Sequence, residues 1–240
     1  MKAFLFDLDG VLVDTANYHY LAWKQVCDAL GIEFNEIDNE KLKGIDRRNS
    51  LRILLRIGNK ELSESEFESW LVKKNESYLE MIEKLDRKAL FPGVISLFER
   101  LKEKEIKIGL GSASKNAKLI LHRLEITDYF DCIVDGNMTT QGKPDPQVFL
   151  LNASRLGLQV EDCAVLEDSK AGIDAAITAN MKAIGIGSDQ SIKHADVVYQ
   201  DIESINLNAV LELFDDVSNE LHQMLVSTSS TQIDLSHSTL

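Results

Sequence analysis

Phe4-Leu5-Phe6-Asp7-Leu8-Asp9-Gly10 is the stretch on which the reading of this chain turns. The apolar run Ala3 to Phe6 has the length and composition of a buried strand. It ends in two carboxylates one residue apart, followed by Gly10. Side chains alternate along a strand, so Asp7 and Asp9 start out on one face. Two like charges that close are costly unless a cation or a shared proton relieves them. The arrangement therefore suggests a metal site, a nucleophile with its acid/base partner, or both. A strand followed by a solvated turn is the plainer alternative, since Asp and Gly are ordinary turn residues.

Other short apolar runs repeat the pattern: Ile106–Ser112, Cys132–Val134, Cys163–Leu166, Ala183–Ile186 and, more weakly, Asp196–Tyr199. Helical patterns lie between several of them, as at Gly93–Glu105 and Asn116–Leu124. Strands alternating with helices predict an α/β fold with a Rossmann-like, mainly parallel sheet. Residues 15–85 break this rhythm with helical periodicity at Tyr20–Leu30, Arg48–Ile57 and Glu64–Leu85. They read as a small α-helical cap domain inserted after the first strand, with residues 1–14 and 86–215 forming the catalytic core. Such an insertion can act as a lid over the strand's carboxyl end. Residues 216–240 are polar and read as a flexible tail, or as the continuation of a terminal helix through Leu221 and Leu225.

The 240 residues carry a formal net charge of −13. An acidic chain argues against nucleic-acid or anionic-membrane partners, while a few local cations suffice for a phosphorylated small molecule. Cys27, Cys132 and Cys163 lack metal-ligand spacing and read as buried thiols in a reducing compartment. Met1-Lys2-Ala3 runs straight into the first strand, and no apolar run reaches spanning length. The expectation is a soluble, cytoplasmic monomer.

Polar residues gather at successive strand ends: Asp7 and Asp9, then Ser112-Ala113-Ser114-Lys115-Asn116, then Gly142-Lys143-Pro144, then Glu167-Asp168-Ser169. In an open parallel sheet the ligand site lies beyond the carboxyl ends of the strands. Each motif taken singly has a bland reading. Glu167-Asp168 could simply precede a helix opened by Ser169 and Ala171, since caps are common. Lys143 could be a surface lysine and Arg47 a solvated charge beside Arg48.

Taken in order, these residues resemble the haloacid dehalogenase-like superfamily of phosphotransferases. Asp7-x-Asp9-Gly10, Ser112, Lys143-Pro144 and Glu167-Asp168 match its four motifs over roughly residues 1–215. Within it, the chain is similar to the β-phosphoglucomutase group. Asp14-Thr15, Tyr18-His19, Ala22-Trp23, Leu42-Lys43-Gly44, Arg47, Ser50-Leu51 and Ser112 to Asn116 carry that closer likeness. Gln141-Gly142 departs from the small or hydroxyl residues of the group's pattern.

The resemblance implies bound Mg²⁺ and an aspartyl-phosphate intermediate. Asp7 would be the nucleophile, already ionised at neutral pH. The metal ligands would be the Asp7 carboxylate, the Asp9 backbone carbonyl, Asp168, and Glu167 directly or through water. Asp9 would be the general acid/base, its side chain turned from the metal towards a sugar. Ser112 would donate to the transferring phosphoryl group, and Lys143 would offset its charge and hold Asp7. A second phosphate would be bound by Ser114, Lys115 and Asn116, at a helix start, and by Arg47. His19 would support Asp9 or, with Lys43 and Thr15, orient the sugar, and Gly44 and Ser50 would line the sugar site. Trp23 reads as packing or hinge more than as a sugar platform, and Lys74 as a lid contact.

The implied activity is interconversion of β-D-glucose 1-phosphate and glucose 6-phosphate through β-glucose 1,6-bisphosphate. A Mg²⁺-dependent sugar-phosphate phosphatase is the alternative, because water can replace the sugar hydroxyl at the same motifs. A non-catalytic protein binding phosphorylated metabolites is a third reading, since fold alone does not fix function.

Overall fold

The computed structural model describes residues 1–212. The expected tail, residues 216–240, lies outside them. Residues Lys2–Ser204 form one compact unit, and Met1 groups with the described residues from Ile205 on in a second. In the second unit Asn206 Oδ1 accepts from Ala209 N at 3.2 Å.

Six parallel strands form the sheet: β1 Ala3–Phe6, β2 Lys107–Gly111, β3 Cys132–Val134, β4 Cys163–Glu167, β5 Lys182–Ile186 and β6 Val197–Tyr199. Their order is β3-β2-β1-β4-β5-β6. The chain fills one side of β1 and then crosses to the other, so the switch point lies at the carboxyl end of β1, where open α/β sheets bind ligands. Every residue of β1 is buried, as a strand covered on both faces requires. Leu5 packs into a cluster with Val165, Phe149 and Ile173 on one face. Phe6 meets Phe98 edge-on at 5.1 Å on the other. Phe98 belongs to a helix, Val94–Glu103, that follows an insertion of four earlier helices.

That insertion comprises α1 Ala16–Leu30, α2 Glu36–Glu40, α3 Arg47–Ile57 and α4 Glu64–Ile82. Local signals set its boundaries. Gly31, at φ 65°, closes α1, Asp46 Oδ1 caps α3 through Arg48 N and Asn49 N, and Ser63 with Glu66 forms a capping box on α4. The helices pack around their own apolar cluster of Trp23, Val26, Leu51, Leu54, Phe67 and Leu71. Sealing such side chains from water contributes roughly 1.5–3 kcal/mol each.

Outside the insertion, the Lys2–Ser204 unit carries the helices α5 Val94–Glu103, α6 Ala117–Arg123, α7 Gln147–Leu156 and α8 Lys170–Thr178. The short α2, together with α7, was not legible as periodicity. The former is five residues long and largely polar; the latter starts directly after Pro146. Among the described residues no helix is long and apolar enough to cross a membrane.

Candidate active site

The strand register delivers the polar groups to one place. Phe6 lies level with Leu110 on β2 and Leu166 on β4, so the next residues, Asp7 and Glu167, emerge side by side. Asp7 N donates to Leu166 O at 3.0 Å, and Ser112 N donates to Val134 O at 3.1 Å. The loop between β3 and α7 supplies Lys143, whose peptide bond to Pro144 is cis. Its Nζ donates to Asp7 Oδ1 at 2.6 Å and to Glu167 Oε1. Glu167 Oε2 accepts from Ser169 N at 3.2 Å and Ser169 Oγ at 3.0 Å. Ser169 Oγ also caps α8 by accepting from Gly172 N at 3.1 Å. The helix-cap reading of this segment therefore holds together with the clustering of its carboxylates.

Oxygen atoms of Asp7, Glu167 and Asp168 all lie within 4.8 Å of one another. Lys143, Asp7 and Glu167 are buried. Burial works against the Lys143 ammonium, but Asp7 and Glu167 outweigh it and hold its pKa above the ordinary lysine value. One ammonium cannot satisfy three carboxylates. Burial, with the charges of Glu167 and Asp7, pushes Asp168 well above the usual carboxylate range. A set of hard oxygen donors carrying excess negative charge fits a divalent cation of the Mg²⁺ type.

The Asp9 carboxylate stands apart from this cluster. β1 ends at Phe6, so strand alternation does not carry through to Asp9, and the expected shared face is lost. Asp9 Oδ1 instead accepts from Thr15 Oγ1 and lies 3.9 Å from His19 Nε2. Burial and the charge of Asp7 raise its pKa to about 6.

A cavity of about 560 Å³ opens between the sheet and the helical insertion. That volume is in the range of small-molecule sites. Asp7, Asp9, Asp168, His19, Trp23, Lys43, Gly44, Arg47, Ser50, Lys74, Ser114, Lys115 and Asn116 all line it. Thr15, Ser112, Lys143 and Glu167 are buried polar residues outside that lining; Thr15 meets Asp9 and Lys143 meets Asp7 from behind. Ser112 Oγ accepts from Ser114 N at 3.1 Å, which shapes the loop carrying the lining residues Ala113, Ser114, Lys115 and Asn116. Helix α6 after this loop has only seven residues.

The insertion presents cations to the cavity. Lys74, which the sequence reads as a lid contact, is buried at 2% exposure. Its Nζ donates to His19 Nδ1 at 2.8 Å and lies over the rings of Trp23, at 5.1 Å, and Tyr78, at 4.5 Å. Burial and nearby Arg47 lower its pKa to about 7. Burial, Lys74 and Arg47 likewise hold His19 well below its ordinary value. With Nδ1 accepting, neutral His19 carries its proton on Nε2, the atom facing Asp9. Trp23 also belongs to the apolar cluster of the insertion, so it packs and lines at once. Ser50 Oγ donates to Ile45 O at 3.4 Å.

The two neighbouring arginines have different environments. Arg48 is paired with Glu64, at 2.9 Å, and with Glu68. Arg47 Nη2 donates to Asn75 Oδ1 at 2.6 Å, and Asn116 Nδ2 donates to the same oxygen at 2.9 Å. Close backbone approaches complete the seam. A Cβ on Gly142 would lie 2.6 Å from Asp46 Oδ2, and one on Gly44 would collide with Ser169 Oγ.

Asn75, Tyr78 and Asp46 were not singled out by the sequence. Tyr78 stacks on His19 at 4.3 Å, but in sequence it is one apolar position of a helix. Asn75 is a polar residue within a helical run, and only the folded partners distinguish it.

A family profile described as haloacid dehalogenase-like hydrolase matches residues 1–180. The β-phosphoglucomutase of Bacillus subtilis is 44% identical over 214 residues, covering 88% of this chain and 95% of that protein. A phosphatase of Thermotoga maritima described as acting on phosphorylated carbohydrates is 33% identical, over 77% of this chain and 84% of its own length. The crystal structure of a β-phosphoglucomutase from Clostridium difficile superposes with a TM-score of 0.87 at 39% identity, covering 90% of this chain and 98% of that one.

Proposed function

The chain belongs to the haloacid dehalogenase-like hydrolase family, and from that premise we propose that it is a β-phosphoglucomutase, interconverting β-D-glucose 1-phosphate and glucose 6-phosphate. A mutase must recognise a phosphate that is not being transferred as well as one that is. The observation that carries the reading is a single cavity lined both by Asp7 and Asp9 and by Arg47, Lys115 and Asn116. The 44% identical relative from Bacillus subtilis supports it.

In this reading phospho-Asp7 gives its phosphoryl group to the 6-hydroxyl of β-glucose 1-phosphate. The β-glucose 1,6-bisphosphate formed turns round, and the Asp7 carboxylate attacks the phosphorus of its 1-phosphate, breaking the bond to the C1 oxygen, re-forming the aspartyl-phosphate and leaving glucose 6-phosphate. Lys143, bonded to Asp7 Oδ1 at 2.6 Å, fixes the nucleophile and offsets charge on the phosphoryl group. Ser112 donates to that group. In the first half-reaction Asp9 takes the proton of the attacking 6-hydroxyl; in the second it gives that proton to the departing C1 oxygen. A carboxyl raised to about 6 can hold or release a proton near neutral pH. Thr15 and His19 orient it. Asp7, Asp168, the Asp9 carbonyl and Glu167 would hold Mg²⁺, which when bound offsets the repulsion between carboxylate and phosphate. Residues 15–85 act as the cap over the core and exclude water, which would otherwise hydrolyse phospho-Asp7. Lys43, Gly44, Ser50, Trp23 and Lys74 shape the sugar site. Ser114, Lys115, Asn116 and Arg47 bind the second phosphate.

The test is to supply β-glucose 1-phosphate with Mg²⁺ and a trace of glucose 1,6-bisphosphate, following glucose 6-phosphate and inorganic phosphate separately. Isomer formation outpacing phosphate release is expected. Fast release without exchange would reject the mutase and favour a sugar-phosphate phosphatase, the activity named for the 33% identical relative from Thermotoga maritima.

A further inference from the structure

Arg47 and Asn116 line the cavity from the insertion and from the core, and Asn75 is not among the lining residues. Its one carboxamide oxygen nevertheless accepts from both, at 2.6 Å and 2.9 Å. The three residues are far apart in sequence, with Asn75 on α4, Arg47 opening α3 and Asn116 preceding α6. We propose that Asn75 is a positioning residue that grips the two phosphate donors from behind and joins the cap to the core through them. The proposal rests on the reading of Arg47 and Asn116 given above.

The chemistry of the gripping group is what singles it out. A guanidinium has five N–H donors and a carboxamide two. One from each is spent on Asn75, leaving others for the cavity. The acceptor is neutral, so it fixes Arg47 without cancelling its charge. Among the described residues no carboxylate forms an ion pair with Arg47. Arg48, one position on, is held by Glu64 and Glu68 and retains little charge for an anion. Burial, the larger influence on Arg47, also raises the cost of leaving its guanidinium without an acceptor. Asn75 thus supplies orientation at no electrostatic expense, and a phosphate that engages Arg47 and Asn116 together draws on a bridge between cap and core that already exists.

The test uses the full chain with Mg²⁺. Wild type is first assayed for isomer exchange, which judges the mutase reading alone. If it only hydrolyses the sugar phosphate, the same Asn75 comparisons proceed on hydrolysis. For Asn75→Ala, KM for β-glucose 1-phosphate and the inhibition constant of inorganic phosphate are expected to rise about five- to tenfold, with kcat changed less than about threefold. In an Arg47→Ala background the same substitution should shift KM at least about threefold less, because one of its two partners is gone. Asn75→Asp keeps the shape and the bridge but cancels the Arg47 charge, so it should weaken phosphate at least as much as Asn75→Ala; it remains informative if the alanine variant folds poorly. Phosphate inhibition within twofold of wild type for both variants would overturn the proposal. So would additive effects of Asn75→Ala and Arg47→Ala, which would mark Asn75 as merely structural.

Discussion

At the carboxyl end of the sheet, each polar group is held by another. Lys143 bridges Asp7 and Glu167, Glu167 accepts from Ser169, and the strand register fixes the spacing. On the insertion side, cations hang from helices with their own apolar core, and two of them are linked to neutral groups: Lys74 to His19, Arg47 to Asn75. The first region ties buried, mutually dependent charges to the ends of strands. The second carries its cations on helices that have a separate apolar core.

The contrast can be broken most severely at its centre. Asp7→Asn is expected to lower turnover by roughly 10⁴-fold, on the scale seen when a nucleophile is removed, with an unchanged circular dichroism spectrum; residual turnover within tenfold of wild type would remove Asp7 from its role. Lys143→Met leaves Asp7 and Glu167 buried without their ammonium. In EDTA it should cost about 3–5 kcal/mol in urea unfolding, and a loss below 1 kcal/mol would mean that the sheet end is less interlocked than described.

On the insertion side the expected sign differs. Lys74 has its pKa lowered to about 7, so between that pH and the ordinary lysine value near 10.4 the unfolded chain binds more protons. Its contribution to stability should therefore rise with pH across that window, by up to about 1.4 kcal/mol per unit. Lys74→Met should remove this slope relative to wild type, measured by urea unfolding from pH 6.5 to 10; parallel curves would contradict a buried, easily neutralised lysine. The smallest effect is expected at the seam. Asp46 Oδ1 caps α3 and Oδ2 accepts from Asn49 Nδ2 at 2.5 Å, so it yields reluctantly to a Cβ on Gly142. Gly142→Ala should hold the cap slightly open and raise phosphate release relative to isomer formation about two- to fivefold. An unchanged ratio would show that the seam does not govern water access.

The comparison also separates what could be read without coordinates. The motifs at strand ends were legible because a parallel sheet turns sequence order into spatial order: an apolar run followed by Asp7, Ser112 or Glu167 places that residue at the same edge. Helices α1, α3 and α4 were legible from their apolar periodicity. The polar α2 and the bridging role of Asn75 were not, since neither leaves a periodic or compositional mark. Asp7 and Asp9 show the boundary between the two kinds of information. Their spacing marked a site, but an extended strand would have kept them on one face, and only the end of β1 at Phe6 and the bond to Thr15 part them.

By itself, then, the sequence determined the parallel α/β core, the helical insertion and the residues that meet at the switch point, because hydrophobic burial and strand order act through local pattern. Tertiary structure alone decided which cations keep their charge, which carboxylate turns from the cluster, and where cap and core touch. Those depend on partners tens of residues away and on burial, and neither is written in any local stretch of the chain.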